Sequence, residues 1–156
     1  ILMYAAKNGD TATIATLIEQ GADVSARDRF GLTALMFAAR EGNVDAVRLL
    51  LDKGAKLDDQ DKTKWTALSW AVKKSQTDAS KVLIERGADV NHADSEGTPM
   101  LQYAVSDGNV ELVKLLLASG ADVKKRDQYG LTALVYALKG KKPEIVQIIK
   151  DAGGSY

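Results

Sequence analysis

DRFGLTALMFAAREGNVDAVRLLLDKGAKLDDQ, running from Asp28 to Gln60, meets a copy of itself whenever the chain is shifted by thirty-three residues. Asp28 falls on Asp61, Asp94 and Asp127. Leu35 falls on Leu68, Leu101 and Leu134, and Ala38 on Ala71, Ala104 and Ala137. Gly54 falls on Gly87, Gly120 and Gly153. No insertion or deletion breaks the register. A fixed period of this size marks a stacked architecture, in which each unit is one small motif that cannot bury its apolar face alone.

Within the unit, Asp28-Arg29-Phe30-Gly31 is turn chemistry: an Asp that can bond nearby backbone, and a Gly able to take positive φ. Thr33 to Arg40 reads as a short helix with Leu35, Ala38 and Ala39 on one stripe. Gly42 suits a left-handed helix end. Asn43 is expected to N-cap the next helix. On that helix Val44, Val47, Leu50 and Leu51 form a broader apolar face, and Gly54 ends it. Thr33-Ala34-Leu35, Ala38-Ala39, Gly42, Leu49-Leu50-Leu51 and Gly54-Ala55 resemble the ankyrin repeat motif. The resemblance spans essentially the whole chain. It implies an all-α ankyrin-repeat solenoid of helix-turn-helix units with short β-turn fingers. The expected organisation is a single domain, 1–156, with repeats at about 1–27, 28–60, 61–93, 94–126 and 127–156.

Composition limits the function classes. Hydrophobic residues make up 46% and charged residues 27% of the 156-residue chain, as in ordinary globular domains. No apolar run is long enough to span a membrane, and no signal-like segment stands at the start. Cys is absent, which excludes disulfides and thiolate metal sites. The formal net charge is zero, so no monopole draws the molecule toward nucleic acid or anionic lipid.

The copies are unequal. Thr13 stands where Leu112 and Ile145 stand later, which suits either an N-terminal cap or simple drift. In the third copy Lys64 and Ser75 replace glycines expected to have positive φ, and Ser80 replaces a core valine. That copy is expected to be the least stable internal one. In the fourth, Thr98 as N-cap and Pro99 at the first helical position predict a helix beginning one residue early. In the fifth, Lys141-Lys142-Pro143 replaces the usual turn. Lys150 occupies a core position there, so the stack is expected to end at this copy. The tail Gly153-Gly154-Ser155-Tyr156 is expected to fray.

Chemistry-bearing clusters are scarce. His92 is the sole histidine and lies on a return between units, with Asn91 and Asp94 near it in sequence. It reads as a solvent-facing or turn-bonding residue rather than a catalyst. Asp58, Asp59 and Asp61 lack the spacing of a calcium loop. The repeat-start aspartates lie one repeat apart, roughly 10 Å for stacked helices, too far for paired acid–base work. They are read instead as turn-fixing residues. Gly140-Lys141-Lys142 lacks the spacing of a phosphate loop. No catalytic residue, metal ligand or cofactor site is assigned.

The aromatics fall into two registers. Tyr4, Phe37, Trp70, Tyr103 and Tyr136 share one position and read as packing along the first-helix layer. Phe30, Trp65 and Tyr129 lie in the turns, where large aromatics suit contact with a partner. The ankyrin resemblance implies binding by the fingers together with the exposed side of the first helices. Carried onto this chain, that surface includes Arg29, Phe30, Leu32, Arg40, Lys62, Trp65, Lys73 and Lys74. Further along it takes in Glu96, Asp107, Gln128, Tyr129, Leu131 and Lys139, with Lys7, Arg27 and Arg126 beside them. Bases outnumber acids in this set on a neutral protein, and the nearby turn aspartates reduce the surplus. The surface therefore suits an acidic partner segment or is an ordinary mixed-charge face.

The function expected is a non-catalytic protein–protein interaction module, with rigid presentation of these side chains. The alternatives are a regulatory or targeting segment of a larger protein, or a consensus-like engineered scaffold; the irregular third copy weighs against the latter. The expected partner is another protein, with an acidic segment as the form the basic lining suits, and no nucleic acid and no membrane. A monomer is expected. Cytoplasm is the default location, with a periplasmic or secreted parent as the other option.

Overall fold

Each repeat places a small-residue helix before a larger-residue one, and this difference sorts them into two layers. The computed structural model describes residues 1–156 and contains ten helices. The first helices of the five repeats are α1 (Leu2–Asn8), α3 (Ala34–Glu41), α5 (Ala67–Lys73), α7 (Met100–Asp107) and α9 (Ala133–Lys139). The second helices are α2 (Thr11–Glu19), α4 (Val44–Asp52), α6 (Thr77–Glu85), α8 (Val110–Ala118) and α10 (Pro143–Asp151). The fold is an all-α repeat solenoid of stacked helix pairs.

By its internal contacts the chain divides into two compact units, Ile1–Asp89 and Val90–Tyr156. In the first, α1, α3 and α5 pack side by side, and α2, α4 and α6 form the second layer. In the second unit α7 packs on α9 and α8 on α10. Ala6, Ala38, Ala39 and Ala71 are completely buried, which lets neighbouring first helices approach closely. Ile14, Val47, Leu50 and Leu83 fill the second layer just as completely.

The first helix begins where Thr33 accepts a 3.4 Å bond from the Met36 N–H. In the third repeat Thr66 and Ser69 form a reciprocal capping box. The fourth repeat does not start early. Pro99, with φ −65° and ψ 140°, is itself the N-cap, and α7 opens at Met100. Pro99 keeps the extended N-cap backbone of Thr33, Thr66 and Thr132, and it also pairs with Ala93 in an antiparallel bridge. The register is thus preserved at the cost of a side-chain cap.

Asn43 departs from its expected role. Its side chain makes no N-cap bond to α4. It reaches back instead and donates to the Ala6 and Lys7 carbonyls at the end of α1, at 2.9 and 2.8 Å. Gln76 does the same to the Arg40 carbonyl at 3.1 Å. In the second unit Lys142 donates to the Ser106 carbonyl at 2.7 Å. Residues at one register position thus close the open C-terminal carbonyls of the preceding first helix.

The third repeat keeps the glycine-type backbone without glycine: Lys64 has φ 62° and Ser75 φ 58°. Each costs about 1 kcal/mol relative to Gly. Ser80 is fully buried, and its hydroxyl donates to the Gln76 carbonyl at 2.7 Å. Both tryptophans, Trp65 and Trp70, lie in this repeat. Their fluorescence should therefore be lost at lower urea than the far-UV helical signal. Ser75→Gly and Lys64→Gly should each raise the fluorescence midpoint, by about 1 kcal/mol in stability. Coincident transitions in the wild type, unmoved by either substitution, would contradict this.

The C-terminal tail is docked. The Gly154 N–H donates to the Ile149 carbonyl at 2.8 Å. The Thr132 hydroxyl donates to the Ser155 carbonyl, and Arg126 to that of Tyr156, each at 2.7 Å. A carbonyl-rich return satisfying a Thr and an Arg holds the segment where composition alone suggested fraying. At the other end, Thr13 donates its hydroxyl to Asp10 at 2.6 Å.

Candidate functional site

The fingers are rigid because one aspartate organises each of them. Asp28 accepts from the Phe30 and Leu32 N–H groups at 2.8 and 2.9 Å. Asp61 holds Thr63 and Trp65, Asp94 holds Glu96 and Thr98, and Asp127 holds Tyr129 and Leu131 in the same way. In three repeats the second carboxylate oxygen takes a further bond from the first-helix aromatic. Trp70 donates its indole N–H to Asp61 at 2.9 Å, Tyr103 its hydroxyl to Asp94 at 2.7 Å, and Tyr136 its hydroxyl to Asp127. Phe37 carries no such donor. The aromatic register is thus less a packed column than a brace between helix and finger. Tyr4 is 71% exposed and packs in no column.

These bonds move titration. Burial pushes the Asp127 carboxyl up, but the Tyr136 hydroxyl and the Leu131 and Tyr129 N–H groups outweigh it and hold it below the ordinary 3.8. The bond to Asp127, then burial, pushes Tyr136 up to about 12. Burial and Asp94 push Tyr103 up as well. A depressed carboxylate stabilises the fold above its unfolded pKa, and the gain is lost as pH falls through the folded value. A raised tyrosine stabilises below its unfolded pKa of 10.0, and that gain is lost as pH rises toward about 12. The stability difference between wild type and Tyr136→Phe should therefore be flat between about pH 5 and 9 and shrink on both sides. Urea midpoints measured within that range and beyond both of its ends check it.

On this frame the expected contact residues sort differently. In the first unit Arg29, Lys62, Lys73 and Lys74 are exposed, and Phe30 is 54% exposed. Leu32 is only 7% exposed, because its backbone is drawn into the Asp28 turn, and it is a core residue rather than a contact residue. Trp65 is half-buried, with its ring centroid 4.7 Å from that of Trp70. Adjacent fingers are tied by the Lys62 N–H, which donates to the Phe30 carbonyl at 3.0 Å. Arg40 bridges two repeats: its guanidinium lies 4.9 Å from the Phe37 ring centroid and 5.6 Å from that of Trp70. It also pairs with Glu41 at 3.1 Å. Arg40, Glu41, Trp70, Lys74 and Gln76 line one recess.

In the second unit Glu96, Asp107, Gln128 and Lys139 are exposed, Leu131 is half-buried, and Tyr129 is 74% exposed. Arg27 and Arg126 are both exposed and both tied to the fold. Arg27 donates to the Gln60 carbonyl at 2.6 Å and pairs with Asp59 at 3.0 Å, and Arg126 is spent on the Gly130 and Tyr156 carbonyls. With Asp59 and Asp61 so engaged, the acidic run at 58–61 is structural. His92 lies half-buried on its return. No three His, Asp or Glu side chains converge in metal-binding geometry.

Two features escaped the sequence reading. The Asn43, Gln76 and Lys142 side chains share one register position with Asp10 and Asn109, and all but Asp10 carry an N–H donor there. The placement of Arg40 between two aromatic rings follows from helix geometry, i and i+3 on α3, plus the neighbouring repeat. A family model for ankyrin repeats, built of three copies, matches residues 2–94 and again residues 91–155. No curated protein matches the chain. No helix is long and apolar enough to cross a membrane.

Proposed function

The chain belongs to the ankyrin-repeat family, whose members are generally non-catalytic protein-interaction modules, and from that premise we propose that it binds a partner protein through its fingers and the exposed side of its first helices. One observation carries the reading: Phe30 and Tyr129 stand 54% and 74% exposed on turns whose backbone is fixed by Asp28 and Asp127. An exposed aromatic on a rigid mount loses little entropy on binding. Arg29, Lys62, Lys73 and Lys74 surround the first-unit part of this surface and favour an acidic segment. Of the nearby acids, Glu41 is paired with Arg40, and Asp28 and Asp61 are bonded into their own turns.

The test is affinity capture with wild type against a Phe30→Ala, Tyr129→Ala variant. Trp65→Ala is added separately, because Trp65 also packs on Trp70. The captured partner should bind the double variant at least about tenfold more weakly, the scale of one lost hot spot. Binding should also weaken as salt is raised. Equal capture by both proteins, at unchanged melting, would move the site elsewhere.

A further inference from the structure

Three cations share one register on the first-helix layer of the first unit. Lys7, Arg40 and Lys73 each sit in the last turn of their helix, on α1, α3 and α5. These helices pack side by side, so the row advances by one interhelical spacing, about 10 Å, per repeat. A cation there ordinarily serves the open carbonyls of its own helix end. Asn43 already bonds those of Ala6 and Lys7, and Gln76 bonds that of Arg40. The same bonds tie each helix end to the next repeat, which holds the row at a set spacing. Lys73, in an internal repeat, is exposed, as is Lys7. The openness of this register therefore does not depend on where the chain begins.

The centre of the row is the most preorganised. Arg40 is confined by the Phe37 and Trp70 rings, at 4.9 and 5.6 Å, and only its Nε is bonded, to Glu41 at 3.1 Å. Its two terminal nitrogens present a planar edge that can take both oxygens of a carboxylate. Lys74 adds an exposed ammonium to the same recess. Two cations against the one carboxylate of Glu41 leave that recess with a single positive charge, a match for a monoanion rather than a phosphate dianion. The other acids nearby are engaged or face elsewhere. Asp28 and Asp61 are bonded into their turns, and Asp10 to Thr13. Asp78 lines a separate recess with Arg48 and Lys81, and Asp45 holds the same register one repeat earlier.

Spacing decides the shape of the occupant. A polyproline II segment turns once in three residues and rises about 9 Å in doing so, so side chains three apart point the same way at nearly the pitch of the row. A β-strand, with period two, would turn alternate members of such a series away. An α-helix brings residues three apart within about 5 Å, half the pitch. We propose that the row binds an extended acidic segment of the partner with a carboxylate at every third residue, the middle one seated on Arg40. This rests on the reading that the first-helix side of the chain faces a partner, and it names that partner's sequence pattern.

The probe is the end-blocked peptide Glu-Pro-Pro-Glu-Pro-Pro-Glu, titrated into the isotope-labelled full chain. Saturable amide shifts are expected along the last turns of α1, α3 and α5. Affinity should be at least about tenfold above that of a permuted peptide with its glutamates adjacent. Arg40→Lys, which keeps the charge and loses the planar fork, should weaken binding about tenfold. Glu41→Gln, which removes the competing carboxylate, should tighten it about threefold. Lys7→Glu should weaken it, and a peptide with lysine in place of one terminal glutamate should restore it. Should Arg40→Lys also lower the melting temperature, that exchange on the exposed Lys7 decides alone, and failure of the swapped peptide to restore affinity overturns the proposal. Equal binding of the permuted peptide would overturn it too, as would no binding. Tighter binding of a peptide with phosphoserine in the middle would overturn the choice of carboxylate. Phe30→Ala, Tyr129→Ala should leave peptide affinity unchanged. If the peptide fails while a captured partner still needs those aromatics, this inference falls and the finger reading stands; the reverse result removes the fingers alone.

Discussion

Asp61→Ala is expected to lower stability by about 3 kcal/mol, the largest loss among the finger aspartates. Asp61 is 7% exposed and accepts four bonds: from the Thr63 and Trp65 N–H groups, the Thr63 hydroxyl and the Trp70 indole. Bonds to a charged acceptor are worth about 1.5–3 kcal/mol each in isolation, and water replaces part of that here because Trp70 is half-buried. Asp28→Ala removes two backbone bonds and no aromatic brace, so about 2 kcal/mol is expected. The sharper comparison uses asparagine. Asp28→Asn keeps an oxygen for both N–H groups and should change stability by less than about 0.5 kcal/mol. Asp61→Asn must either aim an amide N–H₂ at the Trp70 N–H or surrender the backbone pair, and should cost about 2 kcal/mol. Urea denaturation followed by both far-UV circular dichroism and tryptophan fluorescence measures both. Equal effects at positions 28 and 61 would show that the indole brace contributes nothing.

Gly42→Ala is expected to cost about 2–3 kcal/mol, from two separable causes. Gly42 sits at φ 75°, where a Cβ is strained by about 1 kcal/mol. That Cβ would also lie 2.3 Å from the Gln76 side-chain oxygen, forcing Gln76 off the Arg40 carbonyl. In a Gln76→Ala background the second cause is already gone, so Gly42→Ala should then cost only about 1 kcal/mol. A double-mutant cycle reads the difference directly. Purely additive costs would mean that Gln76 gives way freely and that its bond carries no stability.

Helix positions and their pairing were legible because the thirty-three-residue period repeats its turn residues as faithfully as its core residues. The left-handed backbone at Lys64 and Ser75 could be foreseen because position, not residue type, dictated it. Pro99 misled because a Thr-Pro pair is a sound helix start locally, whereas the repeat fixes the extended N-cap at the register of Thr33, Thr66 and Thr132. The tail misled for the same reason: two glycines look loose until Thr132 and Arg126 find carbonyls to bind. The candidate surface was legible in outline from finger register. Which of its members are available was not, since the burial of Leu32 and the engagement of Arg27 and Arg126 depend on partners from other segments.

The donors that reach back one repeat have a consequence for the order of synthesis. A ribosome delivers α1 before Asn43, and α3 before Gln76, so both helices emerge with their last carbonyls still open to water, and their closure is supplied by residues translated one repeat later. Until Asn43 has cleared the ribosome those carbonyls of α1 have no protein donor, and the release of Asn43 with α4 supplies it. The youngest repeat on the ribosome is thus always the one still unfinished.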